Sequence, residues 1–262
     1  VELWKTHDYR SGHAFVSPGG GANYQVRFVN HASAEYGIDH FDELLPAGHF
    51  AIRKIAHHQR EGVGTPLVAV RENRHREAIE GYYPPEAITR PLTAVATTGP
   101  SQGPVREVTI QLLCPLANDR VKIGGKTRPL AVDFSAPWAA LLARSGELNR
   151  SAVLDMLTPN PKRVPQLYLM EPYDRQKEPL IMIHGLFSSP LIWASMNNEL
   201  WADDAIRRRY QIWHYHYNTS APALYSARLA ASNVQVFEIR PGIIRTDMIS
   251  AVESVYEEKI AN

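Results

Sequence analysis

Two histidines separated by one residue, His214 and His216, form a first pattern that could do chemistry. They lie in and just after a strand-like run at 211–215, and side chains two residues apart on a strand point to the same face. Two imidazoles placed in this way could begin a metal site, but such a site needs at least one more ligand. The aromatic residues that alternate with them are equally typical of a strand face that is partly wet. We therefore predict no metal site and keep the two histidines as weak candidates.

The sharpest local feature is the segment His184-Gly185-Leu186, which follows a short apolar run at 179–183 and precedes a helical pattern. Such a run is typical of a strand buried on both faces, and a glycine lets the backbone approach a ligand closely. With its flanks, this segment resembles the α/β-hydrolase superfamily, in its lipase and esterase branch, over about residues 36–227. The resemblance implies that the loop helps to build an oxyanion hole with the backbone N–H of Leu186. A small ester-like substrate is the expected partner.

The triad that such a hydrolase needs is incomplete in this sequence. A serine on a Gly-x-Ser-x-Gly elbow, an acid and a histidine should follow the oxyanion loop in that order. No histidine follows His216, and no such elbow follows His184. The formal match at 99–103 precedes the loop and leads into an alternating pattern, which predicts a loop between two strands. We therefore predict a serine-hydrolase-like protein with weak or no activity, and we assign no catalytic residue.

A different pattern occupies residues 228–262. Pro241 and Gly242 follow a strand-like run, and Thr246 lies just downstream. This segment resembles the short-chain dehydrogenase/reductases, and the resemblance implies a loop and a threonine that contact a nicotinamide. The catalytic Tyr-x-x-x-Lys of that family is absent, and lysine is needed there to lower the pKa of the tyrosine. An NAD(P)-dependent dehydrogenase-like fragment is therefore the alternative function, and we predict no bound cofactor.

Composition excludes several classes of function. The 262 residues include 28 basic and 27 acidic side chains, a net charge of +1, so no strong field for nucleic acid is expected. A single cysteine, Cys114, excludes an internal disulfide, and a buried inert thiol is expected there. No apolar run approaches the roughly 18 residues that a membrane span needs, and the first residues lack the apolar core of a signal peptide. The compartment stays open, and a non-catalytic binding module is a third hypothesis.

The elements that position these residues predict an α/β fold, with an incomplete, mainly parallel α/β-hydrolase-like sheet preceded by a β-rich N-terminal region. We place the N-terminal region at 1–165, antiparallel, with one helix over 46–60 and another that begins after a cap at Ser135. A partial hydrolase-like domain spans 166–262 and ends in a dehydrogenase-like strand-loop-helix at 228–262. A sheet cut short leaves an uncovered edge, so self-association is expected.

Within the N-terminal region, residues 1–45 are polar and predict irregular structure. Alternating or apolar runs predict strands at 65–70, 92–96 and 105–113. The pair Gly124-Gly125 lies between two further strand-like runs and predicts a β-hairpin, because glycine supplies the positive φ angles of a tight turn.

Overall fold

The protein is represented by a computed structural model. It describes residues 14–19, 22–38, 40–52, 55–102, 105–145, 166–185 and 188–217. Contacts divide the chain into two units, Val1–Ser226 and Ala227–Asn262, and every described residue belongs to the first. Four predicted site residues lie outside the described residues: Leu186, Pro241, Gly242 and Thr246.

Strands dominate the described residues up to 145. In chain order they are β1 (Ala14–Gly19), β2 (Ala22–Asn30), β3 (Glu43–Pro46), β4 (Gln59–Arg60), β5 (Thr65–Arg71), β6 (Ile88–Gln102), β7 (Val105–Leu113), β8 (Arg120–Ile123), β9 (Lys126–Pro129) and β10 (Val132–Asp133). Six of them form one sheet in the order β1-β2-β7-β6-β5-β3. The β-rich region is thus confirmed. The purely antiparallel arrangement is wrong, because β2 and β7 are parallel and no hairpin sets their relative direction.

The start of this region contradicts the irregular structure predicted for residues 1–45. β1 and β2 pair in antiparallel fashion, and a short helix, α1 (Ala32–Tyr36), follows and ends at Gly37 with φ of 63°. Val26 and Phe28 of β2 are buried, whereas Gln25 and Arg27 beside them are polar and exposed. A strand with one buried face needs only every second residue to be apolar, so a polar composition hides it.

The helix predicted over 46–60 is also wrong. A short 3-10 turn, Ala47–His49, occurs there, and the chain later enters β4, which pairs with β10. Ser135 explains the difference, because its Oγ accepts from the backbone N–H of His58 at 2.8 Å and donates to the carbonyl of Ala56 at 2.9 Å. These tertiary partners satisfy backbone groups that a helix would have paired internally.

The helix predicted after Ser135 is present as α2 (Ala136–Ser145), but its cap is a different side chain. Asp133 Oδ1 accepts from the backbone N–H groups of Ser135 at 2.9 Å and Ala136 at 2.8 Å. A carboxylate at this position also interacts favourably with the positive end of the helix dipole. The expected cap by Ser135 is therefore wrong, because its hydroxyl is used by the segment before β4.

The predicted hairpin and strands of the N-terminal region are confirmed. β8 and β9 pair on either side of Gly124 and Gly125, whose φ angles are 55° and 77°. β5 and β7 cover the strands predicted at 65–70 and 105–113, and β6 includes 92–96. Local patterns were sufficient here because short strands and tight turns depend on adjacent residues.

A second, smaller sheet follows the N-terminal region. Its strands are β11 (Gln166–Leu169), β12 (Glu178–Ile183) and β13 (Tyr210–His216), in the order β11-β13-β12. Between β12 and β13 lie a 3-10 turn (Pro190–Trp193) and two helices, α3 (Ala194–Ala202) and α4 (Asp204–Arg209). β12 is parallel to β13, whereas β11 is antiparallel to it, so the small sheet is mixed. The α/β content is confirmed, and a mainly parallel sheet is not.

Two hydrophobic clusters fill the interior of the described residues. One surrounds α2, where Trp138 packs with its ring centroid 4.8 Å from that of Trp201, and it includes Met182 of β12 and Ile212 of β13. The other lies between α1 and the large sheet. The first cluster positions the small sheet, because β12 and β13 of that sheet share this core with α2. No helix among the described residues is long and apolar enough to cross a membrane.

Candidate functional site

The parallel strands β12 and β13 bring two of the candidate histidines together. Ile183 pairs with Tyr215, so His184 and His216 follow at the carboxyl end of both strands. Their ring centroids are 5.8 Å apart. Open α/β sheets bind ligands outside the carboxyl ends of their strands, so this edge is the candidate site.

His184 links the ends of β12 and β13 through hydrogen bonds and ring stacking. Its ring is buried and stacks on Tyr217 at a centroid distance of 4.6 Å. Its Nε2 accepts from the backbone N–H of Tyr217 at 3.4 Å, and Nδ1 lies 3.1 Å from the carbonyl of Gly185. The tautomer that satisfies both contacts is neutral, with the proton on Nδ1. Burial lowers the pKa of His184, which favours this neutral form. The phenol of Tyr217 adds a further link between the two strand ends, because it donates to the carbonyl of His184 at 2.8 Å.

His214 is even more deeply buried and faces the core. Its Nε2 lies 2.5 Å from the side-chain amide of Asn197 in α3, and its ring stacks against Trp138 at 6.4 Å. Burial lowers the pKa of His214 to about 3, so the ring is neutral at physiological pH. Among the described residues, no group of three or more His, Cys, Asp or Glu side chains is placed to hold a metal ion. The pair His214 and His216 therefore gains no third ligand there.

Gly185 leaves open space beside the loop. A Cβ built on Gly185 would meet no heavy atom of the described residues within 4 Å. Three residues further on, Ser188 Oγ is buried and has no hydrogen-bond partner among the residues that the structure describes. A buried hydroxyl without a partner is an unmet hydrogen-bonding requirement. The described ends of the loop thus offer open space at Gly185 and, at Ser188, a polar atom without a partner among the described residues.

The rings of His184 and His214 have no nucleophilic partner among the described residues. In the described part of the chain, neither His184 nor His214 has a serine, threonine or cysteine side chain as a hydrogen-bond partner. Ser101, the centre of the formal elbow match, lies in β6 and pairs with Arg106 across the β6–β7 hairpin. The loop predicted at 99–103 is wrong for the described part of the motif, because residues 99–102 belong to β6 and residue 103 lies outside the described residues. The next described element is β7, whereas an elbow must open a helix.

The sequence reasoning missed an imidazole–carboxylate pair, His57 and Asp133. His57 Nε2 lies 2.9 Å from Asp133 Oδ2, which also accepts from Gln59 Nε2 at 2.8 Å. Asp133 is 2% exposed, and its other oxygen caps α2. The sequence gives no signal for this pair, because no short motif links His57 to a residue so far along the chain. The Asp-x-Ser sequence before an apolar run could have revealed the cap, but not its histidine partner.

Comparison of the chain with protein-family models, with curated proteins and with solved structures gives no match. What the carboxyl end of β12 and β13 could bind therefore has to be inferred from the residues that lie there.

Proposed function

We propose that this chain is a serine-hydrolase-like protein that offers a loop for an anionic oxygen but carries out little or no triad hydrolysis. The loop follows a strand with a parallel neighbour and precedes a helix-containing connection, which is where the α/β-hydrolases take one oxyanion N–H. Open space at Gly185 and the unpartnered Ser188 hydroxyl favour a small polar ligand at this position. An ester or its carboxylate product has the chemistry that such a loop would bind.

The proposal of weak or no hydrolysis depends on the ring nitrogens of His184 and His214, which already contact other groups of the protein. A general base needs a ring nitrogen within reach of the proton that it removes and a pKa near the working pH. Both nitrogens of His184 already contact backbone groups, and His214 Nε2 contacts Asn197. His214 also has its pKa lowered to about 3 by burial. Neither of these two rings is therefore suited to act as a general base, and among the described residues both support the strands.

The first prediction concerns ester turnover. The chain is expected to hydrolyse p-nitrophenyl butyrate far more slowly than a complete triad enzyme, because loss of a triad costs on the order of 10⁶ in kcat. Stopped-flow or plate absorbance measurements at neutral pH would give the rate. Gly185→Val is the matched variant, since the described residues leave open space where a Cβ at Gly185 would lie. Residual turnover is expected to fall in this variant. Rapid turnover abolished by a serine-directed fluorophosphonate would refute the proposal.

The second prediction concerns self-association. β11 and β12 are the outer strands of the small sheet, and neither has a second strand partner within the described residues. Unpaired N–H and C=O groups on an outer strand favour pairing with another chain. Val16 and Ile192 add exposed apolar surface, at 62% and 63% exposure. Static light scattering is therefore expected to show a molar mass that rises with protein concentration. A mass that stays at that of one chain over the whole range would contradict this expectation.

A further inference from the structure

A cavity of about 470 Å³ lies between segments that connect strands of the large sheet and segments that connect strands of the small sheet. It is separate from the His184 loop. One wall comes from α1 and the turn after β7, and the other from the segment between β11 and β12 and from α4. None of the residues that line it belongs to the loop of the proposed function. The volume is in the range of small-molecule sites, which is roughly 300–1,000 Å³.

The lining of the cavity includes a largely buried ion pair, Glu171 and Lys177. Lys177 Nζ donates to Glu171 Oε2 at 2.9 Å, and the backbone N–H of Ile212 donates to Oε1 at 3.3 Å. Both oxygens of Glu171 therefore have a donor. An ammonium carries three N–H donors, and only one from Lys177 is used by another described residue. Two donors of a side chain that is 15% exposed remain for whatever occupies the cavity.

The other charges of the lining are less available or lie at the mouth. Arg207 is buried, binds Asp204 and the carbonyl of Trp201, and places its guanidinium 4.8 Å from the centroid of Phe134. Arg208 is 70% exposed and lies near two carboxylates. In all, the lining contributes four basic side chains (Arg175, Lys177, Arg207, Arg208) and three acidic ones (Glu35, Glu171, Asp174). This count alone does not select a ligand, because Arg207 and Arg208 already pair with Asp204 and Asp119, which lie outside the lining. The group that a single carboxylate would contact is Lys177, through the donors that Glu171 leaves unused.

We propose that the cavity binds a small organic monocarboxylate whose oxygens accept from the two remaining donors of Lys177. Leu116 and Pro172 supply apolar surface for the carbon body of the ligand. A charge-assisted hydrogen bond to an ammonium is about twice as strong as a neutral one, so the carboxylate determines affinity. A dianion such as phosphate is disfavoured, because Glu171 and Asp174 would repel its second charge.

Benzoate and its uncharged counterpart benzamide test this proposal by isothermal titration calorimetry. Benzoate is expected to bind at least about tenfold more tightly than benzamide, and inorganic phosphate is expected to bind more weakly than benzoate. Lys177→Gln should weaken benzoate binding by at least about tenfold while leaving an amide donor for Glu171. Lys126→Gln, at an exposed position in the β8–β9 hairpin, is the matched control and should leave binding unchanged. Equal binding of benzoate and benzamide, or tighter binding of phosphate, would overturn the proposal.

Cys114 provides a second measurement that needs no variant. It is the single cysteine of the chain, it lines the cavity and it is 3% exposed. Burial raises the pKa of its thiol, so alkylation by iodoacetamide is slow and can be followed by intact mass. Saturating benzoate is expected to slow this alkylation several-fold, whereas benzamide should not. Alkylation of Cys114 at the same rate with and without benzoate would place any binding elsewhere and refute the assignment.

Discussion

Arg71→Met is expected to lower the free energy of unfolding by about 3–5 kcal/mol, because it leaves a buried carboxylate without its charged partner. Arg71 ends β5, and its side chain and that of Glu80 are each only 1% exposed. Its Nε donates to Glu80 Oε1 at 2.5 Å, and its Nη2 donates to Glu77 at 2.5 Å. A third donor, Nη1, reaches the carbonyl of His40 at 3.1 Å. Urea denaturation followed by circular dichroism would measure the change.

Two further variants separate burial from charge in this prediction. Arg74→Met removes an arginine that pairs with Glu72 at the surface and is 66% exposed, so a cost of only about 0–1 kcal/mol is expected. The double variant Arg71→Met/Glu80→Met removes both buried charges and should recover most of the lost stability. An equal loss in Arg71→Met and Arg74→Met would show that the buried pair has no special weight.

Acid titration tests the same pair by linkage. Burial by itself raises the pKa of Glu80, but hydrogen bonds from Arg71 and from the backbone N–H of Arg76 outweigh it and lower the pKa below its usual value. A carboxyl with a lower pKa in the folded state stabilises the fold fully above its unfolded pKa, about 4.3, and loses that contribution as pH falls through the folded value. Below about pH 4.3, the wild type should therefore lose more stability than the double variant.

Trp138→Ala is expected to cost about 3–5 kcal/mol, because it opens a large cavity at the centre of one core cluster. Trp138 is 1% exposed, and its ring contacts those of Trp201 and His214. The same cluster contains Met182 and Ile212, so the loss also loosens the strands that carry the candidate site. Thermal and urea unfolding of the variant would measure the effect.

Ile192→Ala provides the contrast for Trp138→Ala. Ile192 is 63% exposed, and a change at an exposed position away from special contacts is expected within about 0.5 kcal/mol. Trp138→Phe should lie between the two, because an aromatic ring still fills part of the space. A loss of less than about 1 kcal/mol in Trp138→Ala would show that the cluster around α2 does not hold the small sheet in place.

The candidate site shows where reasoning from short motifs stops. The position of His184 after a strand, with a helix-containing connection behind it, could be predicted, because a short apolar run is a local pattern. The burial predicted for both faces of that strand is wrong, since β12 is an outer strand of the small sheet and only Met182 in it is fully buried among the described residues. The contact that the Nε2 of His184 makes could not be predicted, because Tyr217 follows β13, which lies beside β12 in the sheet but much further along the chain. The contact between His57, in the segment before β4, and Asp133 could not be predicted either, because Asp133 lies 76 residues further along the chain.

The sequence by itself determined the elements whose cause is local: the Gly124-Gly125 hairpin, the apolar strands β5 and β12, and a helix after residue 135. It also determined the net charge and the single cysteine. Only the tertiary structure decided that 46–60 is not a helix, that β2 and β7 run parallel, and that His184 and His214 support strands. The physical reason is that backbone and imidazole groups take the best partner within reach. Chain folding, not sequence distance, brings Ser135, Tyr217 and Asn197 within that reach.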